Sequence, residues 1–121
     1  MNYHEIEALK EVYLEDSYVL EIEETIDKLI FRLEAVLTEK NPFFTPPNPE
    51  EQYCYKIATL EFHGAHFIRW IKKSKNINTD SAKETDLGNI DTFTIENRLC
   101  TLSGDWGVVE VDCENIYFRP N

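Results

Sequence analysis

Two histidines and a glutamate stand closest to chemistry in this chain. The segment Glu61-Phe62-His63-Gly64-Ala65-His66 sets two imidazoles three residues apart across a turn signal, with Glu61 on the same strand face as His63. Such donors can meet around one divalent ion, but zinc needs three or four convergent ligands. Asp112 and Cys113 have the right chemistry to complete the set, yet no spacing selects either. The competing reading leaves His63 and His66 flanking a β-turn. Cys54, Cys100 and Cys113 are odd in number, widely spaced and without a CxxC pair, so they read as reduced thiols rather than a disulfide framework. Cysteine catalysis needs a thiolate beside a histidine. Here Cys100 lies between Leu99 and Leu102, and Cys113 follows Val109 and Val111, which suits buried structural thiols better.

The motif inventory excludes several reactions. The sequence has no GxSxG elbow, no HExxH, no GxxxxGK and no GxGxxG, and four glycines leave little backbone for wrapping phosphates. Carboxylates are abundant, but none is singled out as half of a hydrolytic acid pair. The sequence therefore favours a non-catalytic role without a cofactor. A small-ligand or metal-binding β domain, with Phe43 and Phe44 or the histidine turn at its mouth, is the alternative; a carboxylate-dependent hydrolase comes third.

Charge gives a direction. The net charge is −11. Thirteen acids and four bases fall in residues 1–51, leaving ten acids and eight bases for residues 52–121. A field of this sign repels phosphate backbones and anionic membranes and attracts a basic protein surface. The acids expected to face such a partner are Glu15, Asp16, Glu21, Glu23 and Glu24. No apolar stretch approaches the roughly 20 residues that cross a bilayer, and the opening MNYHEIEALKEV has acids where a signal peptide has a basic and then an apolar segment. With reduced thiols, this points to the cytoplasm.

These residues must be positioned by a small scaffold. A length of 121 residues suits one domain spanning the chain, and 42% apolar with 12% aromatic residues suffices for one core. Residues 4–14 carry Ile6, Leu9, Val12 and Tyr13 at helical spacing, which predicts a short amphipathic helix. From Tyr18 the period becomes two, with Tyr18, Leu20 and Ile22 alternating with Val19, Glu21 and Glu23. After a turn over 24–27, Leu29, Phe31, Leu33, Ala35 and Leu37 share one face, so residues 18–38 read as a hairpin.

Loops at 41–52, with most of the prolines, and at 72–89 bracket strand-like runs at 53–62 and 66–71, although 65–73 also fits a helix. One helical turn is expected after Asp80. Runs at 91–96, 99–102 and 106–113 resemble a meander, 116–119 fits a last short strand, and Trp106, set between two glycines, is expected to be buried because large aromatics dominate small cores. The fold class is mainly β: an antiparallel sandwich or partly open barrel of about seven short strands with a short N-terminal helix.

Four segments carry a resemblance: Leu14-Glu15-Asp16-Ser17-Tyr18-Val19-Leu20, Phe31-Arg32-Leu33-Glu34-Ala35-Val36-Leu37, Tyr55-Lys56-Ile57-Ala58-Thr59-Leu60-Glu61-Phe62 and Ser103-Gly104-Asp105-Trp106-Gly107. Together they resemble a class of small bacterial β-rich proteins, some of which are similar to immunity proteins of polymorphic toxin systems. The resemblance implies a protein-binding module of the immunity-inhibitor type. It transfers no catalytic or binding residue.

Overall fold

The computed structural model describes Leu9 and residues 12–41, 44–46, 54–73 and 87–120. Eight strands account for most of them: β1 (Val12–Glu24), β2 (Lys28–Leu37), β3 (Cys54–His63), β4 (Phe67–Lys73), β5 (Thr92–Glu96), β6 (Leu99–Gly104), β7 (Gly107–Asp112) and β8 (Asn115–Pro120). They form two four-stranded antiparallel sheets, ordered β1-β2-β3-β8 and β4-β7-β6-β5. The result is an open sandwich rather than a closed barrel. Phe67–Lys73, within the run 65–73 that also fits a helix by composition, form β4, because only an extended chain can pair Phe67 with Asp112 and Arg69 with Glu110.

One corner joins the sheets. The chain passes from β3 to β4 through Gly64, Ala65 and His66, and back from β7 to β8 through Cys113 and Glu114. The two crossings bond to each other: His66 N–H donates to Asp112 O at 2.7 Å, and Glu114 N–H to His63 O at 3.1 Å. The β1–β2 tip is tied to the same corner by Ala65 N–H donating to Asp27 O at 2.8 Å. These bonds replace the ladder where the backbone turns, while the Asp112 Oδ1 beside them is buried without a hydrogen bond, 3.6 Å from the Arg98 Nε.

Between the sheets the core follows the period of two. Leu29, Phe31, Leu33 and Ala35 of β2 and Ala58, Leu60 and Phe62 of β3 face Val109 and Val111 of β7 and Leu102 of β6, all fully buried. Edge-to-face aromatic contacts cross the gap: Phe31 meets Trp106 at 5.1 Å and Phe62 meets Phe93 at 5.6 Å between ring centroids. Trp106 is buried, as expected of a large aromatic in a small core, and its Nε1–H donates to Asn89 O at 3.0 Å. Both glycines are needed for this. A Cβ on Gly104 would lie 2.5 Å from the Trp106 Nε1, and Gly107, at φ +136°, would press one to 2.2 Å from Lys72 O.

The N-terminal reading needs two corrections. Val12, Tyr13 and Leu14, placed at the end of a helix by their spacing, belong to β1, and the described residues contain no helix. Strand pairing with Leu37 and Val36 outweighs the local helical period. Leu9 is fully buried in the core, while the rest of that segment lies outside the described residues, as does the turn expected after Asp80. The alternation over 18–24 also changes phase. An irregularity between Val19 and Glu21 inserts Leu20, so Val19 and Ile22 turn inward while Tyr18, Glu21 and Glu23 turn outward.

Candidate functional site

The outer face of the first sheet holds Glu61 and His63 of the histidine turn and part of the acidic set. Since Ala58, Leu60 and Phe62 point into the core, the alternate residues Thr59, Glu61 and His63 of β3 point outward. On the neighbouring strand, Ile116 and Phe118 pack against the core and leave Tyr117 and Arg119 outside. The ladder sets Thr59 opposite Arg119 and Glu61 opposite Tyr117.

Glu61 is the hub. Its carboxylate accepts a hydrogen bond from Thr59 Oγ1 at 2.6 Å, lies 2.7 Å from His63 Nε2 and is 3.8 Å from the Arg119 guanidinium, although the residue is only 9% exposed. Burial raises the Glu61 pKa, but the bonds from Thr59 and His63 and the positive charge of Arg119 outweigh it, so the carboxyl stays below its ordinary value. The His63 ring stands edge-on to Tyr117 at 4.8 Å, and Arg119 stacks over the same tyrosine at 4.8 Å. The arrangement is an ionised acid clamped by donors, suited to holding shape and charge.

The metal reading divides here. Glu61 and His63 meet, whereas His66 lies beyond the corner with an exposed side chain. Among the described residues no group of three or more His, Cys, Asp or Glu side chains is arranged for a metal ion. Of the apolar loop residues, Phe44 packs against the core and Phe43 lies outside the described residues.

All five acids proposed for a partner fall on β1, an edge strand, and all are exposed. They do not share one face. Glu21 and Glu23 project from the outer face, opposite Arg32 and Ile30. Glu24, at the strand's end, accepts a bond from Trp70 Nε1–H at 2.9 Å and so leans toward the second sheet. Glu15 and Asp16 sit in a wide bulge, where Tyr13 still pairs with Val36 but the next pair is Tyr18 with Glu34. Fully buried Ser17 holds that bulge: its hydroxyl donates to Tyr13 O at 2.6 Å and accepts from Val36 N–H at 2.9 Å. Beside the acids on the same outer face, Tyr18 stacks near Tyr55 at 6.2 Å, and Tyr13 is 46% exposed.

Thr59, Tyr117 and Arg119 were not singled out by sequence. The alternation Ile116-Tyr117-Phe118-Arg119 signals an outward pair, but only the β3–β8 ladder brings it to Glu61. The fold and this face define a small antiparallel β-sandwich with a tyrosine-bearing, carboxylate-rich sheet surface. Comparisons with family models, curated proteins and solved structures found no match.

Proposed function

We propose that this chain is a non-catalytic protein-binding module that holds a basic partner protein through β1 and the adjoining outer face of the first sheet. The observation that carries the reading is that this edge strand bears five exposed acids and no basic residue, next to the outward tyrosines Tyr13, Tyr18 and Tyr55. Carboxylates steer a basic surface into contact and repel acidic competitors and phosphate backbones. Tyrosines supply rigid area with a polar tip, the type of residue enriched at interface centres. An immunity-type inhibitor of a basic toxin is the form of this module that the resemblance implies.

The edge also limits how a partner approaches. Val19 N–H donates to Gly88 O at 2.8 Å and Leu87 N–H to Val19 O at 2.7 Å, so the middle of β1 is already covered. A partner therefore meets side chains rather than adding a strand there. The test is capture of bound proteins from lysate, followed by affinity measurement at rising salt for the native chain and for a Glu21→Lys, Glu23→Lys variant. The captured partner should be basic, lose affinity with salt and bind the variant at least about tenfold more weakly. Binding indifferent to both changes would overturn the proposal.

A further inference from the structure

The two sheets end in the edge strands β1, β8, β4 and β5, and three of these are covered, engaged or irregular. Leu87 and Gly88 bond to the middle of β1, β4 has a shift between Trp70 and Lys72, and on β5 Phe93 and Ile95 have further partners. β8 differs. Its pairing with β3 runs from Asn115 to Pro120 without a shift, and among the described residues only β3 bonds to its backbone. It carries one charge, Arg119, and no acid.

Which backbone groups face that open edge can be traced across the sheet from β1. Val36 N–H points toward β1, where Ser17 Oγ accepts it. Successive residues of a strand aim their N–H and C=O groups to opposite sides, so Leu33 and Ala35 direct theirs toward β3. Their register with Ala58 and Lys56 turns Thr59, Glu61 and His63 toward β8. Those three pair with Arg119, Tyr117 and Asn115, whose backbone groups are thereby used on β3. Ile116, Phe118 and Pro120 therefore present theirs to the open side. Proline has no N–H to present, so it fits an edge strand and marks where a ladder on that side would stop.

This edge is complementary to itself. With a second β8 set antiparallel about a two-fold axis through Tyr117, Ile116 of each copy exchanges both backbone bonds with Phe118 of the other. Moving the axis to Phe118 would oppose Ile116 with Pro120, which cannot donate. Side chains match as well. Inward, half-buried Ile116 meets Phe118 of the second copy beside a cavity of about 240 Å³ whose walls include Ile95, Cys100 and Cys113. Outward, Tyr117, which is 38% exposed, meets its own copy, and Arg119 meets Asn115, so no like charges are opposed. On β1 the same operation would bring acids against acids, and on β4 bases against bases.

We propose that β8 is the contact of a symmetric homodimer, in which the first sheets of two chains join edge to edge in the order β1-β2-β3-β8-β8-β3-β2-β1. Pairing through like edges closes after two copies, so no filament grows. Both β1 strands stay at the outer ends, which leaves the acidic face of each chain open to its partner. A one-strand contact buries less than the roughly 800 Å² per partner of a standard interface, and each chain brings a charge of −11, so the Kd is on the order of 100 μM.

Sedimentation of the full chain from about 10 μM to about 1 mM should show monomer giving way to dimer, and added salt, by screening the repulsion, should strengthen the dimer. Added salt weakens binding of a basic partner, so the two proposals fail separately. In the dimer Tyr117 faces its copy as a non-hydrogen-bonded pair, with Cα atoms about 4.5 Å apart and within disulfide reach. Tyr117→Cys should therefore cross-link to itself under oxidised glutathione. Asn115→Cys and Arg119→Cys should cross-link with each other but not with themselves, and the native Cys54, Cys100 and Cys113 are buried. Amide exchange in the native chain gives a reading that no substitution disturbs: Ile116 and Phe118 should exchange more slowly as concentration rises. A monomer over the whole range, self-linking of Asn115→Cys or Arg119→Cys, or exchange at Ile116 and Phe118 indifferent to concentration would each refute the dimer.

Discussion

Replacing Ser17 by alanine should destabilise this protein far more than a single exposed hydroxyl could. In the β1 bulge, Ser17 Oγ takes the place of the ladder: it accepts from Val36 N–H at 2.9 Å and donates to Tyr13 O at 2.6 Å. Ser17 is 0% exposed and Val36 1%, so water has little access once the hydroxyl is gone. A buried donor left without its acceptor costs about 1–3 kcal/mol, and the lost bond to Tyr13 O adds about 1 kcal/mol, less the relief of no longer burying a hydroxyl. The net expectation is about 2–3 kcal/mol. An entropy of unfolding near 2.1 cal/mol/K per residue makes 1 kcal/mol worth about 4 °C for a chain of this size, so Tm should fall by roughly 8–12 °C. Urea unfolding at constant m-value checks the free energy, and amide exchange at Val36 should accelerate before global unfolding. Ser103→Ala is the control, since its bond to Thr92 is exposed, and it should change stability by less than about 0.5 kcal/mol. A Ser17→Ala loss as small as the control's would refute the reasoning.

Two further substitutions probe the hairpin and the hub. Gly107→Ala introduces a Cβ 2.2 Å from Lys72 O at φ +136° and should cost about 2–4 kcal/mol by thermal unfolding, because the obstacle is backbone that cannot swing aside; a loss under 1 kcal/mol would contradict it. Glu61→Gln should lower stability by about 1–2 kcal/mol at neutral pH, through the loss of charge-assisted bonds. Since the folded carboxyl lies below its ordinary value, that stability is present above the unfolded pKa and disappears as pH falls through the folded one. The gap between Glu61→Gln and the native chain should therefore close below about pH 4 in urea titrations, and a gap independent of pH would count against the clamp.

How much was legible in the sequence depended on whether a signal was local. The period of two over Leu29, Phe31, Leu33, Ala35 and Leu37 fixes β2's inward face, because each of these side chains needs the same core. The burial of Trp106 was legible too, since a large aromatic dominates a small core, and the structure adds that Gly104 leaves room for its indole. Local pattern misled at 12–14, where helical spacing and strand pairing compete and the partner strand decides. Bulges were invisible: nothing in Tyr18-Val19-Leu20-Glu21 announces an inserted residue, yet that insertion decides which way Glu21 and Glu23 point. The Glu61 cluster was half legible. Thr59, Glu61 and His63 share a visible alternation, while Arg119 arrives from a strand more than fifty residues away.

The edge strands show that the net charge conceals an opposition. β1 carries five acids and no base, whereas β4, one edge of the other sheet, carries Arg69, Lys72 and Lys73 and no acid, with Ile71 59% exposed. Unmodified, two flat edges of opposite charge would invite copies of this chain to pair end on end without closure. Both are instead bent, β1 by its two irregularities and β4 by one between Trp70 and Lys72, and Leu87–Asn89 covers the middle of β1. Arg69 is further engaged by Glu110, and Lys73 lies over the Trp70 ring. Edge protection is thus achieved by backbone geometry and does not require the run of carboxylates. Lysine is the commoner charge for blocking an edge, so edge protection does not account for five acids with no base on β1, and this supports the basic partner proposed above.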